Sequence, residues 1–404
     1  MSSTNGRSTN AVNTNSQIAR SGGDVVCDAI LEAGVDVVFG MPGGASLPFY
    51  DALYRYQDRI RHVLIRHEQA AGFAANGYAR ATGKVGVATS TSGPGATNLV
   101  TCMANDMMDS VGVVYITGQV ARPAIGSDAF QETDITGISI PVTKHSYLVL
   151  DVDDLPRVMK EAFYIASSGR PGPVHIDIPK DVFGETTTCT APQSLDLRGY
   201  ITPTAGDEEL VARAAEVINA ADRPIIMAGH GIDISGAAEQ LFALATCGNI
   251  PVVSTLHGVG TFPETHPLSF GMLGMHGLAY ANFAMGKTDC IIGLGTRFDD
   301  RAVGKVDEFG PNAKVVHIDV DPAEIGKVLA TDVPIVGDLK MTLDRLLPLI
   351  KHHDRKAWFS QLDSWRGQHR SLDIPESPES VLPQEVVRAI YEAVSYTHLR
   401  AHET

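Results

Sequence analysis

One acidic residue stands where chemistry would need one. Glu68 follows the apolar run Val63-Leu64-Ile65 and opens a stretch in which Ala70, Ala71, Ala74, Ala75 and Tyr78 recur at helical spacing as far as Gly83. A carboxyl group where a strand hands over to a helix sits at the edge of an α/β sheet, where ligands usually bind. Two glycine turns share that position in the pattern. Met41-Pro42-Gly43-Gly44-Ala45 follows Val37-Val38-Phe39-Gly40, and Ser92-Gly93-Pro94-Gly95-Ala96-Thr97-Asn98 follows the run from Val85 to Ser90. A carboxyl among such turns can serve a bound ligand as an acid or base, while turn N–H groups receive an anion. The plainer reading of Glu68 is a first-turn acid that complements the helix dipole, worth about 0.3–1 kcal/mol. Turns converging on one carboxylate at one edge favour a pocket.

A second set lies further along. Gly271-Met272-Leu273-Gly274-Met275-His276-Gly277 reads as a turn leading into a helix, and Gly295-Thr296-Arg297-Phe298-Asp299-Asp300-Arg301 follows a strand and offers two arginines beside open backbone. Asp319 ends the run Val315-Val316-His317-Ile318, where a ribose hydroxyl could be accepted. Without a ligand these are ordinary turns, and Asp299 with Arg301 a surface ion pair worth about 0–1 kcal/mol. The standard nucleotide fingerprints are missing. Gly93-Pro94-Gly95 and Gly229-His230-Gly231 lack glycine at the sixth place, no G-x-x-x-x-G-K-[ST] exists, and His67-Glu68 does not extend to H-E-x-x-H.

The elements that must position these residues alternate between helix and strand. Helices are expected over 24–33, 47–56, 99–108 and 155–168, and strands over 36–39, 111–117 and 174–178. The stretch 186–203 is polar and carries prolines. A second α/β unit then begins with a helix over 207–220. Its strands are expected over 224–228, 251–254, 290–294, 314–319 and 333–336. Continuous apolar runs indicate strands buried on both faces, hence parallel sheets flanked by helices. From 351 to 383 the chain is polar and reads as a linker, with Trp358 and Trp365 as its large anchors.

Composition sets outer bounds. The 404 residues are 44% hydrophobic and 20% charged, with a net charge of −15, which leaves room for two or three globular domains. That charge argues against nucleic acid or an anionic membrane as a partner. Cys27, Cys102, Cys189, Cys247 and Cys290 are odd in number and form no C-x-x-C pair, so neither a disulfide framework nor a zinc site is indicated, and a reducing compartment fits. No apolar run reaches the roughly 18 residues of a membrane span. Residues 1–22 are rich in Ser, Thr and Asn and read as a disordered tail, with little of the amphipathic pattern of a transit peptide.

Arg66-His67-Glu68-Gln69 and the turns at Gly43-Gly44 and Gly93-Pro94-Gly95 resemble the pyrimidine-binding domain of thiamine-diphosphate enzymes, most closely the large catalytic subunit of acetolactate (acetohydroxyacid) synthases. The resemblance runs from about Gly23 to Ala393. It implies that Glu68 hydrogen-bonds a ring nitrogen of the cofactor's aminopyrimidine, shifting it to the imino tautomer that takes the proton from the thiazolium carbon. It places Pro42, Gly43, Gly44, Pro94 and Asn98 around thiamine diphosphate. Phe130, Gln131 and Lys180 would line the entry from across a dimer interface. The second set resembles the family's FAD-binding middle domain, so Gly229, Gly231, Thr255, Leu256, Met275, His276, Gly295, Arg297, Asp299, Arg301, Asp319 and Asp338 would surround the flavin, joined by Arg170 of the first domain.

The implied architecture is a tail at 1–22, a pyrimidine-binding domain at 23–185, a linker at 186–205, an FAD-binding domain at 206–350, a linker at 351–383, and from 384 the start of a third domain. The third domain is expected to be missing. After Ala393 the chain departs from the family, and its tail with His398 and His402 reads as foreign sequence. The Gly-Asp-Gly site for Mg2+ belongs to that third domain, so no metal site is expected here and the chain is expected to be inactive by itself. The resemblance implies pyruvate decarboxylation and carboligation to a second 2-oxo acid on the route to valine, leucine and isoleucine. It further implies a cytoplasmic, plastid or mitochondrial homodimer or tetramer with a possible regulatory subunit. Two other readings remain open: a sister carboligase or decarboxylase, and a flavin-binding module without catalysis.

Overall fold

The computed structural model describes residues 19–369, 377 and 379–393. The expectations for residues 1–18 and for the tail 394–404, with His398 and His402, lie outside the described residues. The chain divides into two compact units between Tyr200 and Ile201, inside the polar stretch where a linker is expected.

The first unit is a six-stranded parallel sheet. Its strands are β1 (Val37–Gly40), β2 (Arg61–Leu64), β3 (Gly86–Ser90), β4 (Val113–Gln119), β5 (His145–Leu148) and β6 (Val174–Pro179), in the order β2-β1-β3-β4-β6-β5. Every residue of β3, β4 and β6 is buried, as strands with helices on both faces must be. One face packs Val26, Ile30, Phe49, Leu155 and Phe183, and the other packs Ala71, Ala75, Cys102, Met103 and Tyr115. β2 lies at the edge, and Leu64 is 66% exposed. The run 63–65, read as a buried strand, is therefore half open, because an apolar run does not reveal that its strand lacks a neighbour on one side.

Chain order reverses about β1, with β2 on one side and β3 on the other, so the sheet opens at the carboxyl ends of these three strands. Helix Gly22–Glu32 begins in a capping box between Ser21 and Asp24, and Arg20–Ser21 pairs antiparallel with Thr186–Thr187. Residues 20–22, assigned to a tail, and 186–187, assigned to a linker, are thus part of the folded unit.

The second unit has strands β7 (Pro224–Ala228), β8 (Val252–Ser254), β9 (Ser269–Met272), β10 (Cys290–Leu294), β11 (Lys314–Asp319) and β12 (Val333–Val336). Their order is β9-β8-β7-β10-β11-β12, all parallel. This is the doubly wound order 3-2-1-4-5-6, whose switch point lies between β7 and β10. Gly271 and Met272 belong to β9 rather than to a turn. The stretch 351–383 is not wholly a linker: Lys356–Gln368 forms a helix whose Trp358 and Leu362 enter the core beside Phe270 and Met285. Trp358 Nε1 donates to Pro224 O at 3.3 Å. Its apolar residues are few but spaced four and three apart, so one stripe is buried although the average is polar.

Candidate functional site

At the switch point of the first sheet, β2, β1 and β3 end side by side and release residues 65–68, 41–45 and 91–98 on one edge. Glu68 is the first residue of helix Glu68–Thr82 and only 7% exposed. His67 caps that helix, its Nδ1 accepting from Gln69 N at 3.2 Å, so the Glu68 carboxyl is not consumed by capping. Its Oε2 instead accepts from Asn98 Nδ2 at 2.9 Å. On the other side, a Cβ at Gly95 would stand 3.4 Å from Oε1. The residue chosen there carries no side chain, which leaves that oxygen beside a cradle.

The turns are fastened to each other. A Cβ at Gly43 would meet the Thr91 side chain at 2.5 Å, and Thr91 Oγ1 accepts from Ala45 N at 3.2 Å. Gly44 has nothing within 4 Å of where a Cβ would be, and Pro42, Gly44 and Pro94 are exposed on these turns. Gly93 holds φ +55, and its missing Cβ would stand 2.5 Å from Gln131 O. Gln131 (φ +60) therefore lies with its backbone on the Gly93 turn. Phe130, 87% exposed, and Lys180, exposed at the start of helix Lys180–Gly184, stand on the surface outside the cluster of Glu68, Asn98 and Gly95. Arg170 is at the opposite edge, just ahead of β6, where its Nε donates to Ser110 Oγ at 2.9 Å.

In the second unit, every residue singled out lies at the carboxyl edge of the sheet. Gly229 and Gly231 follow β7, Thr255 and Leu256 follow β8, Met275 and His276 follow β9, Gly295 to Arg301 follow β10, Asp319 ends β11, and Asp338 follows β12. At the switch point itself, a Cβ on Gly229 would strike Gly295 O, and Gly231 N donates to Gly295 O at 3.0 Å. These glycines are explained by backbone packing of two loops. Asp299 caps the turn Asp300–Val303 by accepting from Arg301 N at 3.0 Å, and Asp338 caps helix Leu339–Leu346 by accepting from Met341 N at 2.9 Å. Arg301 faces Asp300 at 3.7 Å rather than forming the surface pair with Asp299. Met275 N donates to Arg301 O at 2.8 Å, and Met275 and Leu256 expose apolar side chains on this edge. His276 is also exposed there, and Asp319 is buried.

Sequence reasoning missed several supporting residues. Phe298 has φ +52 and is buried, edge-on to His317 at 4.8 Å and against Gly293. It holds Arg297 and Asp299 in place at the cost of a strained backbone. Burial keeps His317 down to about 4, so its imidazole is neutral, and its Nε2 lies 2.8 Å from Thr296 O. In the first unit, Thr117, Gln119, His175, Asp177 and Ser139 form a buried polar ladder, and Asp106 accepts from Asn76 and Tyr115 at 2.6 Å each. The available signal was polar residues at alternate positions, Thr117 with Gln119 and His175 with Asp177, inside fully buried strands.

Comparison with known proteins follows the same division. Residues 20–138 match the model described as "Thiamine pyrophosphate enzyme, N-terminal TPP binding domain", and residues 211–346 match "Thiamine pyrophosphate enzyme, central domain". The chain is 49% identical over 378 residues to an acetolactate synthase of Mycobacterium bovis (strain ATCC BAA-935 / AF2122/97), covering 92% of this chain and 61% of the relative. It is 50% identical over 377 residues to an acetolactate synthase of Arthrospira platensis, covering 90% and 65%. It is 45% identical over 383 residues to a probable acetolactate synthase large subunit of Methanocaldococcus jannaschii, covering 93% and 64%. The chain thus spans less than two thirds of the length of these relatives.

Proposed function

The chain belongs to the thiamine pyrophosphate enzyme family, and from that premise we propose that it serves acetolactate synthesis by holding the aminopyrimidine of thiamine diphosphate over Glu68. The observation that carries this reading is the buried Glu68 carboxyl, one oxygen held by Asn98 and the other facing Gly95. When bound, the cofactor supplies a carbanion-stabilising centre for a 2-oxo acid such as pyruvate, and its carboligation to a second 2-oxo acid feeds branched-chain amino acid synthesis.

This chain's own residues do the rest. Glu68 holds or gives up a proton at its carboxyl oxygen toward a ring nitrogen, and Asn98 fixes the carboxyl plane. Gly43, Gly44, Gly93 and Gly95, with Pro42 and Pro94, shape the rim. Gln131 covers the Gly93 turn, and Phe130 and Lys180 are proposed to act where a second copy meets this edge. Most relatives named above are acetolactate synthases, and one is called a large subunit; a homodimer or tetramer with a regulatory subunit is proposed on that footing.

FAD is proposed as a packed ligand on the carboxyl edge of the second sheet. Its contacts would be Thr255, Leu256, Met275, His276, Arg297, Arg301 and Asp319, with Gly229, Gly231 and Gly295 forming the floor, and Asp299 and Asp338 fixing flanking turns. The exposed Leu256 and Met275 support this, because apolar side chains on the carboxyl edge of such a sheet are what a flavin would cover. Magnesium is proposed as the counter-ion of the diphosphate. Among the described residues no group of three or more His, Cys, Asp or Glu is placed to hold it. No described helix is long and apolar enough to cross a membrane.

The test is the rate at which bound thiamine diphosphate exchanges its thiazolium C–H for deuterium. Glu68→Gln keeps the shape but cannot share a proton as the acid does, and should slow exchange by about 10²–10⁴-fold. An unchanged rate removes Glu68 from the chemistry.

A further inference from the structure

The buried polar ladder between β4 and β6 has no part in the chemistry above. Thr117 and Asp177 face each other across the two strands. Thr117 Oγ1 donates to Asp177 Oδ1 at 2.6 Å, and Gln119 Nε2 donates to Asp177 Oδ2 at 2.8 Å. His175 places Nε2 2.8 Å from Thr117 Oγ1 and Nδ1 3.0 Å from Ser139 Oγ. Asp177 is 1% exposed; burial, with a smaller contribution from Asp134, pushes it up to about 7, while burial holds His175 down to about 3. The groups acting on Asp177 are Thr117, Gln119 and Asp134, and none of them is a cation. A carboxyl buried without a counter-charge is costly unless its hydrogen bonds are complete.

Its position supplies a reason for it. Gln119 Nε2 also donates to Thr133 O at 2.9 Å, and Gln119 Oε1 accepts from Val120 N at 2.9 Å. Gln119 is therefore clamped at both ends of its amide and bridges the end of β4 to the returning limb of segment 120–134. That segment carries Phe130 and Gln131. Its outgoing limb is tied by Arg122, whose N and Nε donate to the two oxygens of Asp181 at 3.1 and 2.8 Å. The segment thus hangs between a half-exposed ion pair and a buried amide–carboxyl pair, and its tip rests on Gly93.

We propose that Asp177 is a positioning residue: through Gln119 it holds Thr133 and so seats Gln131 on the Gly93 turn beside Glu68. The proposal rests on the thiamine-binding reading for its purpose but not for its geometry. Asparagine can take the place of Asp177. Its oxygen accepts from Gln119, its amide donates to Thr117 Oγ1, and the Thr117 hydroxyl turns to donate to His175 Nε2. Alanine can do none of this and leaves one N–H of the Gln119 amide without its acceptor.

The experiment is amide hydrogen exchange of the 404-residue chain as wild type, Asp177→Ala and Asp177→Asn. Amides of residues 126–138 should exchange about tenfold faster in D177A, match wild type in D177N, and leave the amides of helix Glu68–Thr82 unchanged. The proposal is overturned by equal exchange in all three, by D177N behaving like D177A, or by a general loosening of the unit with no excess at 126–138. Should D177A fail to fold, Gln119→Met removes the amide that donates to both Asp177 and Thr133 while Asp177 stays, and must release the same segment. Titration with thiamine diphosphate separates the two readings. Binding weakened in D177A but not in D177N supports both, whereas no binding by wild type counts against the cofactor assignment alone.

Discussion

At the scale of single residues, the site depends on atoms that are absent as much as on those present. Gly95→Ala would put a methyl group 2.8 Å from Thr91 Cγ2 and 3.4 Å from Glu68 Oε1. The crowding should cost about 1–3 kcal/mol of stability, and cofactor titration should show a larger proportional loss of binding than Gly44→Ala, where nothing lies within 4 Å. Asp177 and His175 give a second prediction through pH. Asp177 is raised from 3.8 to about 7, so its stabilising contribution is complete below 3.8 and lost as pH climbs toward 7. His175 is lowered from 6.5 to about 3, so its contribution is complete above 6.5 and lost as pH falls toward 3. Between these limits the two slopes oppose each other. Asp177→Asn removes only the first, so its stability relative to wild type should rise by about 1.4 kcal/mol per pH unit from pH 4 to 6.5. Urea midpoints that stay parallel across that range would sink the assignment.

At the scale of elements, the turn after β10 carries a strained residue that the sequence did not disclose. Phe298 is held at φ +52 because its ring fills the space above Gly293 and against His317. Phe298→Ala should cost about 3–5 kcal/mol, and flavin uptake, followed by absorbance of the purified protein, should fall with it, because Arg297 and Asp299 flank that ring. What was legible follows the same logic. β7, β10, β11 and β12 are apolar runs with turn residues at both ends, and their bounds match expectation at every residue. β5 reads His-Ser-Tyr-Leu, an edge strand without an apolar run, and went unseen. So did helix Ala238–Gly248, which ends at Asn249 in the left-handed conformation rather than at a glycine. The site's glycine turns were legible because only glycine tolerates their conformation and close approach. The ladder from Thr117 to Asp177 was not, since its meaning comes from two strands distant in sequence.

At the scale of the molecule, each unit closes its own core. Ile30 lies in the cluster with Phe49 and Phe183, and Leu343 in the cluster with Ile226 and Val316. Ile30→Ala and Leu343→Ala should each cost about 2–5 kcal/mol. Limited proteolysis should show each substitution accelerating cleavage within its own unit while the other keeps wild-type resistance. A uniform acceleration across both would mean that the units unfold as one.

The contact between Gly229, Gly231 and Gly295 bears on how the second unit could be redesigned. Two loops meet there backbone to backbone, joined from Gly231 N to Gly295 O at 3.0 Å, and a side chain on Gly229, Gly231 or Gly295 would collide with the facing main chain. A mutational library aimed at changing the preferred ligand would waste its diversity on that floor, where nearly every variant is sterically blocked. The walls differ. Leu256 and Met275 are exposed, and although the Met275 sulfur accepts from Arg301 Nη1 at 3.7 Å, the backbone at both positions is hydrogen-bonded independently of the side chain, so variation there can reshape what is accepted while the scaffold beneath stays intact.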